Sequence, residues 1–230
     1  MTADWNGQVW LAGGNGTANT LAQSTSALAN SWTAIPINTI IMGQINSVKW
    51  MYNKWAIGGV LNGGPNVFAY TTNGPGSSGW TASPSGIVMG VSVNSMFWNG
   101  KIAVAVGTCN TNTIATSSDG MNWTGQSNTT FTGSGYNITW NTQRWVAVGE
   151  GGNSIAYSYN GMNWFGVPNS TLLYGQGGYA VGANPKIGFT PIPSAIHLNI
   201  NDQFSVNTPK YYDNSLSSDT TLSFNLNLYG

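Results

Sequence analysis

Charge is the first thing this sequence lacks. Only 5% of its 230 residues are Asp, Glu, Lys or Arg, against roughly 25% in an ordinary soluble domain. Six basic and six acidic side chains cancel. That removes the electrostatic footprint of a nucleic-acid binder, in which phosphate neutralisation supplies most of the affinity. It also leaves no polybasic segment for anionic lipid. Asn, Ser, Thr, Gly and Gln stand where ions would be. An uncharged polar surface suits a protein packed among others, because a free monomer usually keeps net charge for solubility.

Reactive side chains are equally scarce. Cys109 is the only cysteine, so no intrachain disulfide can form. It follows a strand end in "VGTCNTN" without a nearby histidine and reads as a small packed residue, not a nucleophile. His197 is the only histidine, which puts His-pair metal sites and a Ser-His-Asp relay with a spare His out of reach. No apolar run approaches ~18 residues, so no membrane span is expected. The start, "MTADWNGQVW", lacks a basic stretch followed by an apolar one, so no signal peptide is expected. Neither a cofactor nor a metal is expected. Five N-x-S/T sequons, at Asn15, Asn122, Asn128, Asn137 and Asn169, are what an Asn- and Thr-rich composition produces.

What the chain does have is repetition. "WNGQVWLAGG" (5–14), "WMYNKWAIGG" (50–59), "WNGKIAVAVG" (98–107) and "WNTQRWVAVG" (140–149) align without gaps. Each runs on into a strand-like segment, "ANTLAQST", "NVFAYTT", "NTIATSS" or "NSIAYSY". Each unit closes on a tryptophan after a turn: Trp32, Trp80, Trp123 and Trp164. A decayed fifth copy, "LLYGQGGYAVGANPKIGF" (172–189), keeps an aromatic, a Gly-rich turn and "AVG". Alternation and turn residues give four short antiparallel strands per unit, with hairpin signals such as the Asn-Gly pairs after Trp5 and Trp98. Units of ~40–45 residues built that way have the period of propeller blades. No stretch shows helical periodicity. The expected fold is all-β: a β-propeller of four clear repeats plus a degenerate fifth over 1–189, and a C-terminal β-strand tail over 190–230. The first copy lacks a full first strand, which invites a seam where the ring would close.

All eleven tryptophans fall at repeat positions. Trp5, Trp50, Trp98 and Trp140 form one column, Trp10, Trp55 and Trp145 a second, and the closing tryptophans a third. A large aromatic repeated once per blade suits packing between neighbouring sheets, each burying ~150–250 Å². A sugar-stacking platform would more naturally use an aromatic that breaks the pattern.

The closing turn carries a resemblance. Ser117-Ser118-Asp119-Gly120-Met121-Asn122-Trp123 resembles the Asp-box, or BNR repeat, one residue shorter than its usual form. Ser158 to Trp164 has the same spacing with Asn160 for Asp, copy two has Asn73 with an insertion, and "STSALANSW" in copy one barely matches. The short box after "WVAVG…NSIAYS" is similar to repeat proteins encoded by large and giant DNA viruses, some of which end in β-rich tails like "YYDNSLSSDTTLSFNLNLYG" (211–230). In that tail region Ile196, Leu198 and Ile200 alternate with polar residues, as do Leu222, Phe224, Leu226 and Leu228, so each strand has one face to bury.

Enzymatic readings find little material. The sialidases that share the Asp-box use three arginines, and this chain has only Arg144. Glycoside hydrolysis needs two carboxylates at a set separation. Asp119 and Glu150 sit on different units, and Asp4, Asp202, Asp213 and Asp219 suggest no pair. Asp and Asn share the ability to accept backbone N–H bonds in an Asx-type turn but not acid–base chemistry. Asp119, Asn160 and Asn73 are therefore read as turn staples. The expected function is a non-enzymatic structural or interaction protein, a capsid-associated or surface virion component whose tail contacts other subunits or virion proteins. The alternative is a glycan-binding module for attachment to a host-cell surface, and a glycoside hydrolase is a remote third.

Overall fold

The computed structural model describes residues 2–16, 19–35, 43–60, 67–76, 79–84, 88–108, 111–127 and 130–183. All belong to one unit, Met1–Gly188. Cys109, His197 and the expected tail, 190–230, lie outside the described residues.

The chain is all-β, with sixteen strands among the described residues and one short helix. They form four antiparallel meanders of four strands each. The first comprises β1 (Thr2–Trp5), β2 (Trp10–Gly13), β3 (Leu21–Ser24) and β4 (Thr33–Ile35). The second comprises β5 (Gln44–Met51), β6 (Lys54–Val60), β7 (Phe68–Thr71) and β8 (Thr81–Ala82). The third comprises β9 (Ser92–Trp98), β10 (Ala103–Thr108), β11 (Ile114–Ser117) and β12 (Thr124–Ser127). The fourth comprises β13 (Gly135–Trp140), β14 (Trp145–Gly149), β15 (Ile155–Ser158) and β16 (Phe165–Gly166), followed by α1 (Ser170–Leu173).

One contact recurs at each junction. The residue just past the glycine that ends each "GG" or "VG" pair bridges the start of the next sheet: Asn15 to Gln44, Val60 to Ser92, and Thr108 to Ser134. The Val60–Ser92 bridge joins the second and third meanders into one eight-stranded sheet. First strands lie against first strands, and side chains clamp them. Thr2 Oγ1 accepts the Val48 N–H at 3.2 Å, Asp4 Oδ2 accepts the Trp50 N–H at 2.7 Å, and Ser47 Oγ accepts the Met96 N–H at 2.9 Å. Asn46 and Asn94 donate to the Val93 and Gly135 carbonyls of the following sheet at 2.9 and 2.8 Å.

Three apolar layers fill the three gaps between sheets. Leu11, Leu21 and Ile35 meet Ile45, Trp55, Ile57 and Trp80. Met51, Ala56 and Phe68 meet Met96, Ala105 and Trp123. Val104, Val106 and Ile114 meet Ile138, Trp145 and Ala156. Volume is shared across each gap. A Cβ on Gly13 would lie 2.4 Å from Ile45, and one on Gly58 would lie 2.5 Å from Val93. At the third junction the sizes are exchanged: Val106 faces Gly135, whose Cβ would fall 2.7 Å from it. Close packing tolerates one bulky side chain per contact but not two.

The hairpins fall where the Asn-Gly pairs after Trp5 and Trp98 signal them, closed by Asn6 N–H to the Val9 carbonyl at 3.3 Å and Asn99 N–H to that of Ile102 at 3.2 Å. Trp5 pairs with Trp10, Trp98 with Ala103, and Trp140 with Trp145, each across a four-residue loop. In those loops Asn6, Asn99 and Asn141 each accept two backbone N–H bonds through Oδ1. The two-residue turn is Tyr52-Asn53, with φ of 49° and 56°, the left-handed pair of a type I′ hairpin.

The segment expected to be a fifth copy, described as far as residue 183, does not follow the expected register. Gly178 N–H donates to the Gly149 carbonyl at 2.9 Å, as Ile45 N–H donates to that of Gly14 at 3.0 Å. A Cβ on Gly178 would lie 2.9 Å from Val148, repeating the Val106–Gly135 exchange. These contacts put "AVG" (180–182) at the level of a first strand, not of a second.

Candidate functional site

The closing turns come first, since the sequence singles them out. Ser117 Oγ accepts the N–H groups of Asp119 and Gly120 at 3.3 and 2.8 Å. Asp119 Oδ1 accepts those of Met121 and Asn122 at 2.8 and 2.7 Å, and Oδ2 accepts Asn122 Nδ2 at 2.7 Å. In the fourth sheet Ser158 Oγ takes Asn160 and Gly161, and Asn160 Oδ1 takes Met162 and Asn163, at 2.9 to 3.3 Å. Asn73 is held alike, its N–H donating to Thr71 Oγ1 at 3.3 Å. Burial tends to raise the Asp119 pKa. The bonds from Asn122, Met121 and Ser117 outweigh it and hold the carboxyl below its ordinary value.

The first copy keeps the same turn with different residues. Ser24 Oγ accepts Ser26 and Ala27 at 3.2 and 2.9 Å, and Ser26 Oγ accepts Leu28 at 3.4 Å. Ala27 has φ 58°, matching Gly74, Gly120 and Gly161 at 89°, 74° and 78°. The sequence hid this copy because Ser26 replaces the Asx residue and Ala27 the glycine. Gly120 lies under Met51 and Tyr52 of the preceding hairpin, where a Cβ would come within 3.3 Å of each. Lys54 Nζ reaches the Asp119 carbonyl at 2.8 Å. The turn therefore docks on the sheet before it as well as closing its own.

The tryptophan columns depart from the expected uniform role. Trp55 and Trp145 are fully buried, and Trp80 and Trp123 nearly so. Trp123 stacks on Phe68 of the preceding sheet at 4.3 Å. First-column residues pack within their own hairpins instead: Trp5 on Trp10, Trp50 on Trp55 and Trp140 on Trp145, at 5.1 to 5.3 Å. Trp98 has Ala103 opposite, and Tyr52 of the second sheet covers it at 5.0 Å. Trp164 is only part-buried. Trp5 and Trp32 are each 37% exposed and Trp10 is part-buried, because among the described residues no sheet precedes the first.

A second cluster was not legible in the motifs. Tyr136 occupies the column of Asn46 and Asn94, and Glu150 that of Asn15, Val60 and Thr108. Both break the repeat. Tyr136 stacks on Tyr179 with ring centroids 4.9 Å apart. Desolvation, and then the adjacent Glu150 carboxylate, push the Tyr136 phenol up to about 12, so it keeps its proton at physiological pH. Tyr179 is 62% exposed and donates to the Gln176 carbonyl at 3.2 Å. Glu150, but neither Tyr136 nor Tyr179, also lines a cavity of about 400 Å³, with Thr132, Ser154, Tyr174 and Gln176. The one signal in the sequence is the column break itself, an aromatic and an acid where earlier copies carry amides or small residues.

The remaining candidates are dispersed. Asp4 is a clamp between sheets, and Arg144 lies over the Tyr159 ring at 5.2 Å. Among the described residues no three His, Cys, Asp or Glu side chains come together. No described helix is long and apolar enough to cross a membrane.

No protein-family model and no curated protein matches the chain. Among solved structures, the computationally designed Ika8 protein is 10% identical over 67% of this chain, with a TM-score of 0.45. The chain spans 44% of that protein's length. The computationally designed Ika4 protein is 9% identical over 69% of this chain and 89% of its own, at 0.47. YjhT is 11% identical over 72% of this chain and 64% of its own, at 0.47. Likeness at that level decides neither the fold's name nor a ligand.

Proposed function

We propose that the chain is a non-enzymatic interaction protein: a propeller of four repeats and a degenerate fifth that works as a subunit of a larger assembly, a virion component. One observation carries the assembly reading. Trp10 and Trp32 project from the leading face of the first sheet, the face that its equivalents turn toward a preceding sheet. Trp55, Trp80, Trp123 and Trp145 are buried there, whereas Trp32 is 37% exposed and Leu28 beside it 68%. Exposed aromatics grouped on one face are what a docking site presents. The low charge supports the same reading, and the viral part rests on the resemblance of the short box. The tail, as a contact to other virion proteins, belongs to the proposal. Purified particles of the virus encoding the chain are expected to contain it in fixed stoichiometry. Its absence from them would overturn the virion role.

The alternative, a glycan-binding attachment module, is favoured by a separate observation: Glu150, the one charged residue in its column, lines a polar cavity of about 400 Å³ with Thr132, Tyr174 and Gln176.

A further inference from the structure

Repetition supplies a test for function that composition cannot. A residue that packs between sheets recurs in its column, because each gap poses the same packing problem. Asn46 and Asn94 illustrate it, each bonding the next sheet's carbonyl from the same position. At the fourth sheet that position holds Tyr136, which packs on Tyr179 of the following segment, so this column keeps its packing role. One strand over, Glu150 occupies a column that elsewhere bears no charge.

The surroundings leave these groups room. A Cβ on Gly133 would lie 2.8 Å from Glu150 Cγ, and one on Gly177 would lie 3.0 Å from Glu150 Cβ and 3.4 Å from Tyr136. Glycines on both sides thus shape the polar cavity of about 400 Å³, within the usual range for small-ligand sites. Its chemistry is specific. A carboxylate accepts hydroxyl protons, often two at once. Thr132, Thr171 and Gln176 add neutral donors and acceptors. Tyr174, 51% exposed, gives a ring to lie against a sugar's C–H face. Among the described residues no Lys or Arg lines the cavity, so an anionic ligand would meet Glu150 with no cation beside it.

We propose that the cavity lined by Glu150, Tyr174 and Gln176 binds a neutral pyranose. The inference rests on the glycan-binding reading and is independent of the assembly reading. Saturation-transfer NMR and titration calorimetry on the full chain would use methyl glucoside, galactoside, mannoside and N-acetylglucosaminide, with methyl glucuronide as the anionic comparison. At least one neutral sugar should bind saturably with a Kd on the order of 0.1–10 mM, and the glucuronide at least tenfold more weakly. Tyr174→Ala and Glu150→Gln should each weaken binding about tenfold with an unchanged melting temperature, while Tyr157→Ala, on the same sheet outside the cavity, should not. Binding that survives both cavity variants would overturn this site and leave the glycan reading standing. Failure of every sugar to bind would overturn both.

Discussion

Asp119 and Asn160 accept the same two backbone N–H groups at nearly the same distances. What separates them is charge, which the turn uses only modestly. Asp119→Asn should cost under about 1 kcal/mol at neutral pH, measured by denaturant unfolding. The pH dependence has a definite sign. The folded carboxyl lies below its unfolded value. Its contribution is therefore complete above about pH 4 and is lost as pH falls through the folded pKa. The Asn variant should lose that acid limb. Ala27→Gly tests the hidden first copy. A left-handed alanine is strained by about 1 kcal/mol, so glycine should raise the unfolding midpoint. The Asx staple was legible because Ser, Asp or Asn, and Gly recur at fixed spacing. The Ser26–Ala27 version was not, because the backbone conformation repeats there while the residue types do not.

At the scale of the sheet, burial depends on what lies in front of it. Trp123→Ala removes a ring stacked on Phe68 and should cost about 3–5 kcal/mol. Trp32→Ala, at the same place in an uncovered sheet, should cost about 1 kcal/mol in the isolated chain. Equal losses would mean that the first sheet is covered after all. The glycine exchange gives a sharper test. Gly58→Val alone should destabilise by about 1–3 kcal/mol through overlap with Val93. Adding Val93→Gly reproduces the Val106–Gly135 arrangement and should recover most of the loss, a coupling that equilibrium unfolding of the double-mutant cycle would read. The strands and tryptophan columns could be read from spacing. The exchange could not, because its partners lie on different repeats and the compensation shows only in contact.

At the scale of the whole molecule, sheet follows sheet through one repeated bridge, and among the described residues the series has two unlike ends. One carries Trp10 and Trp32; the other carries Val146, Val148 and Ile155 beside the segment through Val181. The repeat period announced the serial architecture, since each unit must bury a face on its neighbour. It could not announce which face is left over, since that depends on where the series starts. A subunit that docks through its leading face should have that face covered inside its assembly. Hydroxyl-radical footprinting of the tryptophans, in purified particles and in the isolated chain, tests this most directly. Trp10 and Trp32 should be oxidised in the isolated chain and protected in the particle, with Trp55 and Trp145 protected in both. Equal oxidation of Trp10 and Trp32 in the two states would contradict it.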